Sequence, residues 1–133
     1  MENKRTRIEL ALERLIREQQ GNTFERLALQ LAKQRWPDIE PTESGHDGGE
    51  DGIPVPSQYS DTQKRSLACS ITGTLEKVRG DCRRIKERGV RIDLLIFYTP
   101  AKVNNLEISE WQKKIQQEFK HDLLVMPRAT IVA

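Results

Sequence analysis

The chain has 133 residues, of which 36% are apolar and 5% aromatic, with 22 Lys and Arg against 20 Asp and Glu and a formal net charge of +2. That length suits one compact domain around a single core, and no run approaches the ~20 apolar residues of a membrane span. The first residues lack the apolar stretch of a signal peptide, and Cys69 and Cys82 are too few for a disulfide framework and match no zinc spacing with His46 and His121, so a cytoplasmic protein with two core cysteines is expected.

Residues 4–19 carry Ile8, Leu12, Leu15 and Ile16 at helical spacing, with Arg and Glu on the other face. Gly21-Asn22 is the expected break. A second helix over 23–35 follows, with Phe24, Leu27, Ala28 and Leu31 on one stripe and Asn22 and Glu25 spaced as a capping box, and Trp36-Pro37 ends it. Residues 36–66 are rich in Gly, Pro, Asp and Ser and read as a long connection interrupted by a short strand around 52–55, which Pro54 and Pro56 confine to an edge or a bulged hairpin arm. A turn over 61–64 and a strand over 67–71 complete the expected hairpin.

The spacing of Leu75, Val78, Cys82 and Ile85 predicts a helix over 74–88 that Gly89 stops. Residues 92–98 are almost continuously apolar, as in a central strand covered on both faces. A helix over 107–120, entered through Ser109 with Gln112 three residues on, buries Ile108, Trp111, Ile115 and Phe119, and residues 123–126 form a further strand. Trp36 and Trp111 are expected to pack. His121 is expected to favour the carboxyl end of the preceding helix electrostatically, and Tyr98 and Thr99 fall where ligands gather in open α/β sheets. The order α-α-β-β-α-β-α-β predicts an α/β mixed sheet with a hairpin at one side and helices on both faces. Residues 129–133 are apolar and β-prone with no polar tail, so the chain reads as the N-terminal module of a longer protein.

The near-neutral total conceals segregation. Residues 1–35 carry +3, residues 36–63 hold seven acids and no Lys or Arg, residues 64–92 carry +6, and residues 93–133 balance. A concentrated acidic block between basic segments suits either a cation site beside a polyanion surface or a solvated loop. Within the block, residues 45–52 contain His46, Asp47, Glu50 and Asp51 among four glycines. Carboxylates converging on a tight turn are what a hard divalent cation requires. An EF-hand does not fit, because Gln58 stands at the twelfth position counted from Asp47. His46, beside Asp47, is an exposed loop residue, a supporting group or a general base.

Phe24-Glu25-Arg26-Leu27 on a helix, then Asp47-Gly48-Gly49-Glu50-Asp51 leading into a hairpin, then an apolar strand and a basic helix, resembles the PD-(D/E)xK nuclease superfamily, and within it the branch of the Mrr-type restriction endonucleases. The resemblance spans about residues 20–100 and implies a restriction-endonuclease-like core and a metal-dependent DNA endonuclease. It implies Asp51 as the principal metal ligand, Glu25 as the helical acid and Asp47 as a supporting carboxylate, around Mg²⁺ or Mn²⁺. The third motif departs from the family: Ala68 stands where Glu or Gln belongs, and Ser70 occupies the catalytic lysine's position. Lys77, one turn into the next helix, is placed to act as a migrated lysine. With the metal polarising the scissile phosphate and lowering the pKa of a bound water, Lys77 would orient that water and offset developing charge.

Lys64, Arg65, Arg79, Arg83, Arg84 and Arg88 then supply phosphate contacts, and with few aromatics for stacking, double-stranded DNA is the expected partner. The family further implies an effector of restriction or antiphage defence that works as a homo-oligomer, joined to further domains of the same polypeptide. The altered third motif motivates a rival, a catalytically inactive nuclease-like fold kept for nucleic-acid binding or oligomerisation. A second rival is a protein-interaction domain with complementary acidic and basic surfaces.

Overall fold

The computed structural model describes residues 4–37, 39 and 64–132. Their elements run α1 (Lys4–Arg17), α2 (Gly21–Arg35), β1 (Arg65–Cys69), α3 (Leu75–Glu87), β2 (Leu94–Tyr98), α4 (Asn105–Phe119), β3 (Asp122–Met126) and α5 (Arg128–Ile131). The expected strand near 52–55 and the first arm of the hairpin lie outside the described residues. What is described is an α/β arrangement with a three-stranded sheet in the order β1-β2-β3, parallel throughout. β2 is the central strand, as its apolar run predicts.

Strand alternation sorts the core into two layers. Ala68, Leu95, Phe97, Leu123 and Val125 face Val78, Cys82 and Ile85 of α3 and Trp111 and Ile115 of α4. Leu67, Ile96, Tyr98 and Met126 face the other way, against Leu12 of α1 and Phe24, Ala28 and Ala32 of α2. The register places Ala68, Phe97 and Val125 side by side. Two successive crossovers that step in the same direction across a parallel sheet put both connecting helices on one face, which leaves the opposite face for the N-terminal helices. Among the described residues, no helix is long and apolar enough to cross a membrane.

Several boundaries differ from expectation for identifiable reasons. α1 ends before Gly21 because Gln19 takes the left-handed conformation (φ 53°), with Gln20 N–H on Leu15 O and Gln19 N–H on Ile16 O. This closes a Schellman turn on a glutamine and frees Gly21 to begin α2. No Asn22 capping box forms: the N-cap is Gln20, without a side-chain cap. Gly89 does end α3, at φ 75°, with the same pair of bonds from Gly89 to Lys86 and Val90 to Ile85. α4 starts two residues earlier than predicted because Asn104, not Ser109, accepts the Glu107 N–H at 2.8 Å.

β1 is shifted two residues toward the amino end. Lys64 O accepts both Asp93 and Leu94 N–H, which draws the chain into the sheet at Arg65, and Thr72 N–H bonds Ser70 Oγ, which ends it. The expected turn over 61–64 is described only at Lys64. The β-prone C-terminal residues form a helical turn instead, α5, entered through Pro127.

Candidate functional site

In a parallel sheet the strand carboxyl ends open onto loops that can present side chains to one ligand. Here those loops are residues 70–74, 99–104 and 127. Ser70 N–H donates to Tyr98 O (3.1 Å) and its hydroxyl accepts the Thr72 N–H (2.9 Å), so Ser70 shapes the turn after β1. Thr74 caps α3 by accepting the Lys77 N–H at 3.3 Å. Lys77 therefore sits in the first turn of the helix leaving β1, as the sequence expects.

The Lys77 ammonium lies 3.6 Å from Asp81 Oδ1, and the same oxygen takes Arg84 Nη2. The lysine side chain keeps 31% exposure, whereas the Asp81 side chain keeps 1%. Lys77, Asp81, Arg84 and Arg88 follow one another at i, i+4, i+7 and i+11 and so form one flank of α3. Arg79 lies on the opposite flank, held at 3.1 Å by both Glu76 and Glu118 of α4. Since α4 borders that side, the Lys77 row lies on the side of β1, the strand into which residues 40–63 lead.

The six expected DNA-contacting cations are thus not equivalent. Lys64 and the half-buried Arg65 open β1, Arg84 and Arg88 share the flank with Lys77, Arg83 is exposed on the outer side, and Arg79 is committed to two carboxylates. Glu25 is half-buried on α2. The first turn of that helix, at Gly21, Asn22 and Thr23, faces Ile71 and Thr72 across a cleft of about 790 Å³. α2 and α3 therefore both start beside the carboxyl end of β1, on opposite faces of the sheet.

Asp51 and Asp47 lie outside the described residues, and among the described residues no three His, Cys, Asp or Glu side chains are grouped to hold a metal ion. Of the expected ligand set, Glu25 is the one described member. Oxygen donors of that kind suit Mg²⁺ or Mn²⁺.

The remaining titratable candidates are structural. Burial, reinforced by Asp81 and Glu118, pushes the Cys82 thiol up to about 12, so it is no nucleophile at neutral pH. Burial lowers the His121 pKa despite the Asp122 carbonyl on Nδ1, so His121 is neutral at pH 7 and does not serve the helix end as a charge. It stacks beside Phe119 instead. Trp111 is buried, and Trp36 is half-buried beneath Arg35. Tyr98 and Thr99 are buried, and Thr99 Oγ1 accepts the Ala101 N–H.

Asp81 is the residue the sequence reading passed over. Its signal is its position: three residues after Val78 and four before Ile85, it belongs to the inward stripe, where a carboxylate needs a partner. No family model, curated protein or solved structure matches this chain.

Proposed function

We propose that this domain is a metal-dependent endonuclease of double-stranded DNA, of the Mrr-like PD-(D/E)xK type, acting as the effector of a restriction or antiphage defence protein. The observation that carries this reading is the placement of Lys77, in the capped first turn of the helix that leaves β1, ion-paired to a buried aspartate and still one-third exposed. A lysine fixed in that way suits work on a phosphodiester better than a freely solvated cation does.

In this reading Asp51, with Glu25 and Asp47, holds Mg²⁺ or Mn²⁺, and the metal supplies Lewis-acid activation of the phosphate and of a water. Lys77 orients the attacking water and offsets charge on the phosphate oxygens. Lys64, Arg65, Arg84 and Arg88 bind the flanking backbone, with Arg83 contributing from outside and Arg79 least of the group. Because one site of this type cuts one strand, double-strand cleavage would require two copies.

One observation favours a binding-only reading: Ser70, at the family's lysine position, spends its hydroxyl on a turn, and Ala68 beside it is buried and apolar. The two readings separate on supercoiled plasmid titrated with Mg²⁺ or Mn²⁺. The nuclease reading expects nicking or linearisation that Asp51→Ala abolishes and Lys77→Ala diminishes while DNA binding persists. Equal behaviour of wild type and Asp51→Ala would leave binding alone, and absence of salt-dependent DNA binding would point to a docking domain.

A further inference from the structure

Among the described residues Asp81 is the buried carboxylate, and the nuclease reading gives it no role. Burying a charge is unfavourable, and a well-packed apolar side chain between Val78 and Ile85 would serve the fold at least as well. What a carboxylate does here that an apolar group cannot is fix cations. Lys77 and Arg84 both converge on its Oδ1, one from the turn before and one from the turn after. One negative charge shared by two positive ones leaves the trio with a net charge of +1, so the anchor restrains the lysine without neutralising the flank.

We propose that Asp81 is a positioning residue: it holds the Lys77 ammonium at a set place on the β1 flank of α3, with N–H donors left over for the water and phosphate of DNA hydrolysis. The inference rests on the nuclease reading and deepens it. An unanchored lysine at that place would distribute its ammonium over many rotamers, and a group that must lie within hydrogen-bond reach of a reacting water works only in the fraction that reaches it. Asp81 itself touches neither metal nor substrate in this account.

The test uses the whole chain with two readouts. The first is the side-chain mobility of Lys77, by NMR relaxation of ¹³Cε in selectively labelled lysine, with the exposed Lys86 on the same helix as internal reference. Asp81→Asn should raise the mobility of Lys77 to that of Lys86, and Asp81→Glu, which keeps the charge, should leave it intermediate. The second is plasmid nicking at saturating Mg²⁺ or Mn²⁺. Asp81→Asn should lower kcat by about 10- to 100-fold, the range seen when a group orienting a metal ligand is removed, with KM for DNA nearly unchanged and partial rescue by Asp81→Glu.

A cycle with Lys77→Met distinguishes positioning from general damage to the fold. If Asp81 acts through Lys77, the double variant cuts no more slowly than Lys77→Met alone. Multiplicative losses, or a Lys77 already as mobile as Lys86 in the wild type, would overturn the proposal. Should Asp81→Asn not fold, Asp81→Glu carries the same comparisons. A wild-type protein that never cuts DNA overturns the nuclease reading and the catalytic purpose assigned to Asp81, while the mobility readout still reports separately whether the anchor exists.

Discussion

Replacing Gly73 by alanine should destabilise the domain at the joint between β1 and α3. A Cβ added there would stand 2.7 Å from Ala101 Cβ, 3.2 Å from Thr99 Oγ1 and 3.4 Å from Thr99 Cγ2. Carbon atoms in comfortable contact lie ~3.5–4.0 Å apart, so the first of these demands a shift of about 1 Å between two backbones. Neither loop yields easily. Ser70 N–H is bonded to Tyr98 O, Thr99 N–H to Met126 O, and Arg128 N–H to Ala101 O. Forcing a methyl into such a place costs about 1–3 kcal/mol, whereas losing the glycine's unfolded-state freedom returns only about 0.4–1 kcal/mol. The steric term wins, for a net loss of about 1–2 kcal/mol.

Urea unfolding would read that loss as a lower midpoint at unchanged slope, equivalent to about 4 °C in Tm per kcal/mol for a domain of this size. Ala101→Gly removes the 2.7 Å contact and leaves only the milder Thr99 contacts at 3.2 and 3.4 Å. The double variant should therefore be more stable than the sum of the single losses predicts, by about 1 kcal/mol. A Gly73→Ala protein as stable as the wild type, or single effects that simply add, would refute the reasoning.

Thr74→Ala removes the cap on the same helix and should cost about 1 kcal/mol, because Thr74 Oγ1 meets the Lys77 N–H at a long 3.3 Å; Thr74→Ser should restore most of it in thermal melts. Phe24 is fully buried between α2 and the sheet, so Phe24→Ala should cost about 3–5 kcal/mol in urea unfolding. His121 has a folded pKa below its usual 6.5, so the unfolded chain takes up the proton first as pH falls. Its contribution to stability is present above about pH 6.5 and is lost on acidification toward the folded pKa; the fall in Tm between pH 7 and 5 should therefore be shallower in His121→Gln than in wild type. On the proposed DNA-binding flank, Arg88→Ala should weaken duplex binding for all sequences alike and reduce the slope of log affinity against log salt by about one, measured by fluorescence anisotropy.

Helices α3 and α4 and strand β2 were legible because each carries an uninterrupted period: Val78, Cys82 and Ile85 for α3, the apolar run of β2, and Trp111 and Ile115 for α4, whereas the four-residue α5 is too short to show one. The end of α3 at Gly89 was legible too, but the start of α4 was not, because an N-cap is decided by one side chain among several that qualify. Asn104 and Ser109 are both able to cap α4, and the choice went to the residue that lets the helix start sooner. At the end of α1 a glutamine, Gln19, adopted a left-handed turn two residues before the break expected at Gly21-Asn22. At the candidate site, Lys77 was legible as a lysine in the first turn of the helix after β1. Its partner was passed over although Asp81 falls on the inward stripe between Val78 and Ile85; what the spacing does not give is that Lys77 and Arg84 both converge on its buried carboxylate. The division of the arginines was equally hidden, since Glu118, which helps hold Arg79, lies 39 residues further along the chain.

The central claim is that Asp51 and Glu25 hold a divalent cation beside Lys77. Titrating the full chain with Mn²⁺ and following paramagnetic broadening of backbone amide resonances tests it directly. The account predicts saturable broadening at Glu25 and across residues 70–78, with Lys86 and the far end of α4 unaffected, and loss of the effect in Asp51→Ala. Broadening that is absent, that survives Asp51→Ala, or that centres away from the carboxyl end of β1 would contradict it.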